Sequence, residues 1–297
     1  MENKILVIGS ANADLVIHSE KMPVLGETLL GGGFEINAGG KGLNQAVALA
    51  KLGGKVSFIG AVGKDAFGEL LLKELRQNGV EFRGIRPDTP TGIAMITVVN
   101  GDNFIVLNEG ANGQLTPDVI AEHEDEIAAC DICVLQLEIP LDSVKKTIEL
   151  AKKNGTKVVL NPAPFRKLSP EILKNVDLLI PNEHETFGLT NIHPDSEENC
   201  KKAVENLLGF GAKTVILTLG ERGCVYNGTD GIVFHPAKQT TVVDTTSAGD
   251  TFIGAVTSKL SKGQPLETAI DFATKAAALT VSRSGASKSI PLESEIL

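Results

Sequence analysis

The chain predicts an α/β fold: a three-layer α/β/α core around a mostly parallel central sheet, Rossmann-like in outline, with a small β-sheet lid. Three observations predict it. Short, continuously apolar runs alternate with longer stretches of helical period, the pattern of parallel strands buried on both faces. Two stretches, 14–37 and 91–108, break that rhythm and alternate apolar with polar residues, as antiparallel hairpins do. Polar clusters follow several of the apolar runs, at the strand ends where open α/β sheets take their ligands.

Taken in order, Lys4–Ile8 is an apolar strand that runs out at Gly9, Ser10, Asn12 and Asp14. Residues 42–52 read as a helix with small side chains on its packed face. Residues 55–60 form the next strand and 65–77 the next helix, with Leu70, Leu71 and Leu75 on one side. Strands at 132–136, 157–160, 178–180 and 214–217 follow. They alternate with helices at 141–153 and 197–208 and with shorter helical pieces. A strand at 240–243 then feeds a helix at 251–260 through Asp244-Thr245-Thr246-Ser247-Ala248-Gly249-Asp250. The two hairpin stretches fall near the C-terminal edge of the sheet, the second turning at Asn100-Gly101-Asp102-Asn103. The expected division is a core of residues 1–13, 38–90 and 109–297 and a lid of residues 14–37 and 91–108. No internal repeat or low-complexity linker interrupts it.

The 297 residues suffice for a sizeable core, and 42% hydrophobic residues is ordinary for a globular chain. A formal net charge of −9 argues against nucleic-acid or anionic-membrane partners, which need a basic surface. Nucleotide phosphates stay eligible, because backbone N–H groups and a metal ion neutralise them locally. The first apolar run is too short for a signal peptide and no run approaches a membrane span, so the expected address is cytoplasmic. Cys130 and Cys133 have C-x-x-C spacing, but no second ligand pair follows and the context is a loop entering a buried strand. With Cys200 and Cys224 they are expected as buried, reduced thiols. The histidines show no metal-ligand spacing.

The segment from Asp244 to Asp250 carries the most chemistry. Its small residues permit a tight turn and expose successive N–H groups at a helix start, a site for a phosphate or a developing negative charge. Asp250 stands at the same place. As packing it would repel that anion; as a base it would take a proton from a hydroxyl that then attacks phosphorus. The plain alternative is an N-capped helix after a glycine turn. Asn12 and Asp14 suit paired sugar hydroxyls, or else a simple Asx turn. Ala38-Gly39-Gly40-Lys41-Gly42-Leu43-Asn44 lacks P-loop spacing and a strong preceding strand. It reads as a glycine turn at a helix start, with Lys41 and Asn44 directed above the sheet. Glu138, in Gln136-Leu137-Glu138, ends a buried strand as a hydroxyl acceptor or as an exposed carboxylate. Asn182 and Glu185, in Pro181-Asn182-Glu183-His184-Glu185, suit a hydrated metal held through its waters. Thr218-Leu219-Gly220-Glu221-Arg222-Gly223 is a glycine-rich turn placed for a nucleotide.

In their order and completeness these segments resemble the ribokinase family of sugar kinases over essentially the whole chain. Residues 38–44 are similar to its N-terminal signature and 244–250 to its C-terminal one, while Pro23-Val24-Leu25-Gly26-Glu27-Thr28 resembles its lid segment. Gln136-Leu137-Glu138 and Asn161-Pro162-Ala163-Pro164 add to the likeness. The resemblance implies a ribokinase-like fold and ATP-dependent phosphorylation of D-ribose at O5, giving D-ribose 5-phosphate and ADP. It implies Asp250 as general base and the N–H groups of Ser247, Ala248, Gly249 and Asp250 as an anion hole. Sugar binding would fall on Asn12, Asp14, Gly40, Lys41, Asn44, Glu138 and Asp250. ATP would meet Asn182, the turn formed by Thr218, Leu219, Gly220, Glu221, Arg222 and Gly223, then Gly249, Asp250 and Thr274. Mg2+ arriving with ATP would be met through water by Asn182 and Glu185. An activating K+ would take oxygens of Asp244, Thr246, Thr280, Arg283, Gly285 and Ser289, many of them backbone carbonyls. The family's lids pair, which implies a homodimer.

Two positions depart from the family pattern. Ser247 stands where relatives often carry Ala or Gly, and Thr274 where they often carry Asn or His. The rival within the fold is a kinase for deoxyribose, another sugar or a nucleoside. No Trp and a single Tyr disfavour the stacking a nucleoside would want. The rival outside it, a non-catalytic sugar-binding protein, predicts a damaged base or anion hole, and neither is damaged.

Overall fold

The computed structural model describes residues 4–99 and 102–296. Asn100 and Gly101, the first half of the expected hairpin turn, and the leading Met1-Glu2-Asn3 lie outside the described residues. The chain opens with β1 (Lys4–Ile8), then β2 (Asn12–Ser19) and β3 (Gly32–Gly39). It continues through α1 (Lys41–Lys51), β4 (Lys55–Ile59), α2 (Ala66–Gln77) and β5 (Glu81–Phe82) before the hairpin of β6 (Gly92–Val99) and β7 (Asp102–Asn108). Next come α3 (Pro117–Glu122), α4 (Glu124–Ala128), β8 (Ile132–Leu135), α5 (Leu141–Asn154), β9 (Lys157–Leu160) and α6 (Pro170–Leu173). The second half holds β10 (Leu178–Leu179), α7 (Glu183–Thr190), α8 (Glu197–Gly209), β11 (Thr214–Thr218), β12 (Cys224–Gly228) and β13 (Gly231–His235). It closes with α9 (Ala248–Ser261), α10 (Leu266–Val281) and α11 (Ala286–Ser289).

The core strands form a nine-stranded sheet in the order β13-β12-β11-β10-β9-β8-β1-β4-β5. Every pair from β11 to β5 is parallel, and β12 and β13 add an antiparallel edge. Strand side chains alternate between faces, which splits the core in two. Ile5 and Val7 of β1 join the apolar cluster built with α1, α2, α9 and α10. Leu6 and Ile8 join the one built with α3, α4, α5 and α8. Because both faces are covered, β1 reads as an unbroken apolar run.

The packing of α1 against α9 positions the site. Residues 42–49 of α1 are all buried, and a Cβ on Gly254 of α9 would stand 2.6 Å from that of Ala48. The missing side chain lets the two helices approach closely. One turn earlier on each helix, that approach brings Asp250 beside Asn44 and Gln45.

The second sheet has the order β3-β2-β6-β7. Its two hairpins are antiparallel as expected, but they join through a parallel β2–β6 pair, so this sheet is mixed. Three further differences from the sequence reading have physical causes. Residues 240–243 are not a strand: their β-branched side chains favour one, but among the described residues no strand lies alongside. The backbone there is tied through Val243 and Asp244 N–H groups to the Val281 carbonyl. The helix expected from 251 begins at Ala248, which puts Asp250 inside its first turn. The β12–β13 hairpin and α10 are additions. The four cysteines are free; Cys133, Cys200 and Cys224 are buried, while Cys130 is only half-buried. Burial pushes the Cys130 thiol up to about 12 and that of Cys133 well above its usual range, so neither is set up as a thiolate.

Candidate active site

The site begins where α1 rests on the end of β1. Gly40 has a φ of 90°, and a Cβ there would come within 3.0 Å of Asn12 N, Ala11 Cα and Ser10 O. A Cβ on Gly42 would meet Ser10 N at 2.6 Å. Only glycine satisfies both the left-handed turn and the contact, and the result delivers Lys41 and Asn44 to the sheet's C-terminal edge. Gly39 makes room for a partner: a Cβ there would lie 2.0 Å from the Asp14 carboxylate.

Carboxylates gather around the Lys41 ammonium. Burial, then the charges of Glu138 and Asp250, push Asp14 up to about 7. Burial also raises Asp250, against the opposing pull of Lys41 and the Gln45 amide. At Lys41 burial works against the charge, but Asp250, Glu138 and Glu185 outweigh it and hold the ammonium above its usual range. Glu138 is anchored by Oε2, which accepts from Ser10 Oγ at 2.5 Å and from the Lys41 backbone N–H at 3.1 Å. The structure therefore brings Asp14, Lys41, Glu138 and Asp250 together. Asn44 joins them with Nδ2 3.4 Å from Asp250 Oδ2, and its own Oδ1 is buried without a protein partner. Asn12 is buried beside them, its Oδ1 accepting from Asn112 Nδ2 at 2.7 Å.

Ser247 takes the left-handed conformation, φ 62°, at the head of α9, with its hydroxyl buried and without a partner among the described residues. Its side chain does not cap the helix. The Ala248 N–H donates to Thr245 O at 3.2 Å. The N–H groups of Gly249 and Asp250 lie in the first turn, where no intrahelical acceptor exists. Gly249 is exposed, so the approach to this helix start is open.

Asp244 ties two loops into one. Its Oδ1 accepts from Thr246 N at 2.9 Å and its Oδ2 from Gly285 N at 3.0 Å. Burial alone would raise this carboxyl, but those hydrogen bonds hold it below the usual range. Of the other residues expected near a cation, Thr280 turns its hydroxyl to Thr251 and to Ala276 O, and Ser289 turns its own to Ala286 O. Arg283 pairs with Glu295. A cation at this junction would rely on Asp244 and on backbone oxygens, a donor set of the hard type that suits an alkali ion.

Asn182 and Glu185 form a capping box at the head of α7: Asn182 Oδ1 accepts from Glu185 N at 2.8 Å and Glu185 Oε2 from Asn182 N at 2.9 Å. Burial raises the Glu185 carboxyl. Among the described residues no three His, Cys, Asp or Glu side chains converge on a metal position. An ion that keeps its waters and leans on substrate phosphates, as Mg2+ does, would not require such a cluster. Thr218 is bound to Pro181 O through both its N–H and its hydroxyl. Gly220 and Gly223 take positive φ around the turn. Leu219 is buried, and Arg222 is engaged by Glu183 and by Pro194 O, leaving Glu221 exposed. Thr274 is buried with its hydroxyl on Ile270 O at 2.6 Å, so that hydroxyl is turned into its own helix.

Residues 2–293 match the profile of the pfkB family of carbohydrate kinases. The chain belongs to the pfkB family. A ribokinase of Schizosaccharomyces pombe is 43% identical to it over 300 residues, 97% of this chain and 94% of its own. A deoxyribokinase of Salmonella typhi is 38% identical over 97% of this chain and 95% of its own. The solved structure of an Arabidopsis thaliana ribokinase complexed with ribose and ATP has a TM-score of 0.92 at 33% identity, covering 100% of this chain and 98% of its own.

This pfkB-family chain also uses residues that the sequence reading did not single out. Ser10 anchors Glu138. Asn112 holds both the N–H and C=O of Ala11 as well as the Asn12 amide, fixing the point where the chain passes from one sheet to the other. Gln45, Gln136 and Asn161 form a buried row of amides leading to Asp250. Gln45, Gln136 and Asn161 are neutral polar residues in or beside apolar runs, and Gln136 and Asn161 also open segments that add to the family likeness.

Proposed function

We propose that this chain is an ATP-dependent ribokinase, transferring the terminal phosphoryl group of ATP to O5 of D-ribose and releasing D-ribose 5-phosphate and ADP. The observation that carries the reading is Asp250: a recessed carboxylate in the first turn of α9, within electrostatic reach of Lys41, Asp14 and Glu138. The ribokinase relatives, aligned over nearly the whole chain, support it.

Asn12, Asp14, Gly40, Lys41, Asn44 and Glu138 hold the sugar hydroxyls and orient O5 toward Asp250. Asp250 takes the O5 proton as the O5–phosphorus bond forms and the bond to the ADP oxygen breaks. The backbone of residues 247–250 stabilises the charge on the transferring group, with Gly249 and Asp250 N–H groups as its donors. ATP lies along Asn182, the 218–223 turn and the α10 side of the sheet. Asn182 and Glu185 would meet the waters of an Mg2+ ion arriving with ATP, whose charge would offset that of the phosphates. Asp244, Thr246 and Gly285 would hold an activating K+, which would stiffen the loop that presents α9. Residues 14–37 and 91–108 act as a lid that excludes water from the transfer. The apolar surface they expose, including Phe34, Ile36, Phe104 and Val106, supports pairing with a second copy.

The test is ADP release from ATP and magnesium with ribose, deoxyribose, fructose and adenosine, with potassium present and absent. Turnover favouring ribose and raised by potassium is expected. Preference for deoxyribose would move the substrate, and no turnover with any acceptor would overturn the reading.

A further inference from the structure

Gln45 is fully buried on α1, but it is not a packing residue. Its Nε2 donates to Asp250 Oδ1 at 2.9 Å and to Asn161 Oδ1 at 3.2 Å, while its Oε1 accepts from Gln136 Nε2 at 2.6 Å. Gln136 is equally buried, at the end of β8, and a Cβ on Gly9 would lie 2.0 Å from its Oε1. Asn161, at the end of β9, continues the row by donating to Ile180 O at 3.0 Å. Burying three amides is costly unless each keeps its hydrogen bonds; among the described residues Gln136 Oε1 has no partner, so apolar side chains would fill the same layer more cheaply.

What the row achieves is direction. Because Gln136 donates into Gln45 Oε1, the Gln45 amide must turn its N–H face to Asp250. A flipped amide would set a carbonyl against the carboxylate. Asp250 Oδ1 is thereby occupied, and Oδ2 keeps only the 3.4 Å contact with Asn44 Nδ2.

We propose that Gln45, its amide locked by Gln136, is a positioning residue for Asp250: it clamps Oδ1 so that Oδ2 is the oxygen that takes the proton from the acceptor hydroxyl. The inference rests on the kinase reading and deepens it. The charged groups facing Asp250 are Lys41 of α1, Glu138 after β8, Asp14 of β2 and Glu185 of α7. All four stay in place when only an amide is replaced. Burial raises the Asp250 carboxyl and the Gln45 hydrogen bond lowers it, so removing the amide raises it further.

Gln45→Met keeps the length of the side chain and removes the amide. Loss of a hydrogen bond to a charged group predicts a fall in kcat of about 10- to 100-fold. KM for ribose and for ATP should change little, and the acid limb of the kcat–pH profile should move to higher pH. Gln136→Met leaves the Gln45 amide present but free to turn, and should give the same changes to a smaller degree. Wild-type protein in the same assay separates the two failures. No turnover by wild type overturns the kinase reading and this inference with it. Turnover by wild type, with kcat and the acid limb unmoved in Gln45→Met, overturns the inference alone. Should Gln45→Met fail to fold, judged by circular dichroism and ATP binding, Gln136→Met decides: an unmoved kcat and acid limb there overturns the proposal.

Discussion

Asp250 must be a half-buried charge and a proton acceptor at once, and its neighbours divide those tasks. Lys41 offsets the charge, amides fix the geometry, and burial keeps the carboxyl basic enough to accept. Asp250→Asn should lower kcat by ~100-fold or more while ATP still binds, which steady-state kinetics and calorimetry would check together. Asp14 makes a separate prediction about stability. Its value of about 7 in the fold, against an ordinary 3.8, means the folded protein holds that proton more tightly than the unfolded chain does. The stabilising contribution is complete below 3.8 and is lost as pH rises through about 7. In the absence of sugar, Asp14→Asn cannot ionise and should gain in Tm on wild type across that window. Scanning calorimetry from about pH 5 to about pH 8 reads the difference, and a constant offset would contradict it.

The start of α1 shows how one element carries a site. Gly40→Ala would need a φ that L-residues rarely adopt, at a strain of about 1–3 kcal/mol before any clash with Asn12 is counted. It should lower Tm and raise KM for ribose much more than KM for ATP. Elements of this kind were readable beforehand, because a glycine turn before a helix is a strong mark and a doubly covered strand leaves a continuous apolar run. The β12–β13 hairpin was harder to read, since β13 is only half-buried and its apolar run, Ile232-Val233-Phe234, is short. Residues 240–243 misled in the opposite sense: Val242 and Val243 are strand formers left exposed, with no neighbouring strand to pair with. In the site, Lys41, Asn44 and Asp250 announced themselves as polar residues beside glycine turns. Gln45 follows the same glycine turn as Asn44, and Gln136 and Asn161 end apolar strands without a charge, so only the fold, by bringing α1, β8 and β9 together, reveals that the three act as a unit.

At the scale of the whole molecule, the second sheet offers more apolar surface than a lone protein usually leaves bare. Phe104, Ile105, Val106 and Leu107 run consecutively along its edge strand β7, all exposed. If a second copy covers this strand, Phe104→Asp combined with Val106→Lys should leave a monomer in sedimentation velocity. It should weaken ribose affinity more than ATP affinity, because Asn12 and Asp14 belong to the same sheet. A wild-type protein that sediments as a monomer at all concentrations would remove the pairing.

Among the described residues, the carboxyl groups of Asp14, Glu138, Glu185 and Asp250 outnumber the Lys41 ammonium in the cleft, although Asp14, pushed up to about 7, keeps part of its proton near neutral pH. On the proposed reading, a free pentose would enter that field as a neutral guest and depart as a dianion. The same acidic wall that grips hydroxyls therefore turns hostile to its own product, so that eviction is built into the floor of the pocket. Sugars that arrive already bearing phosphate or carboxylate meet this repulsion at the door.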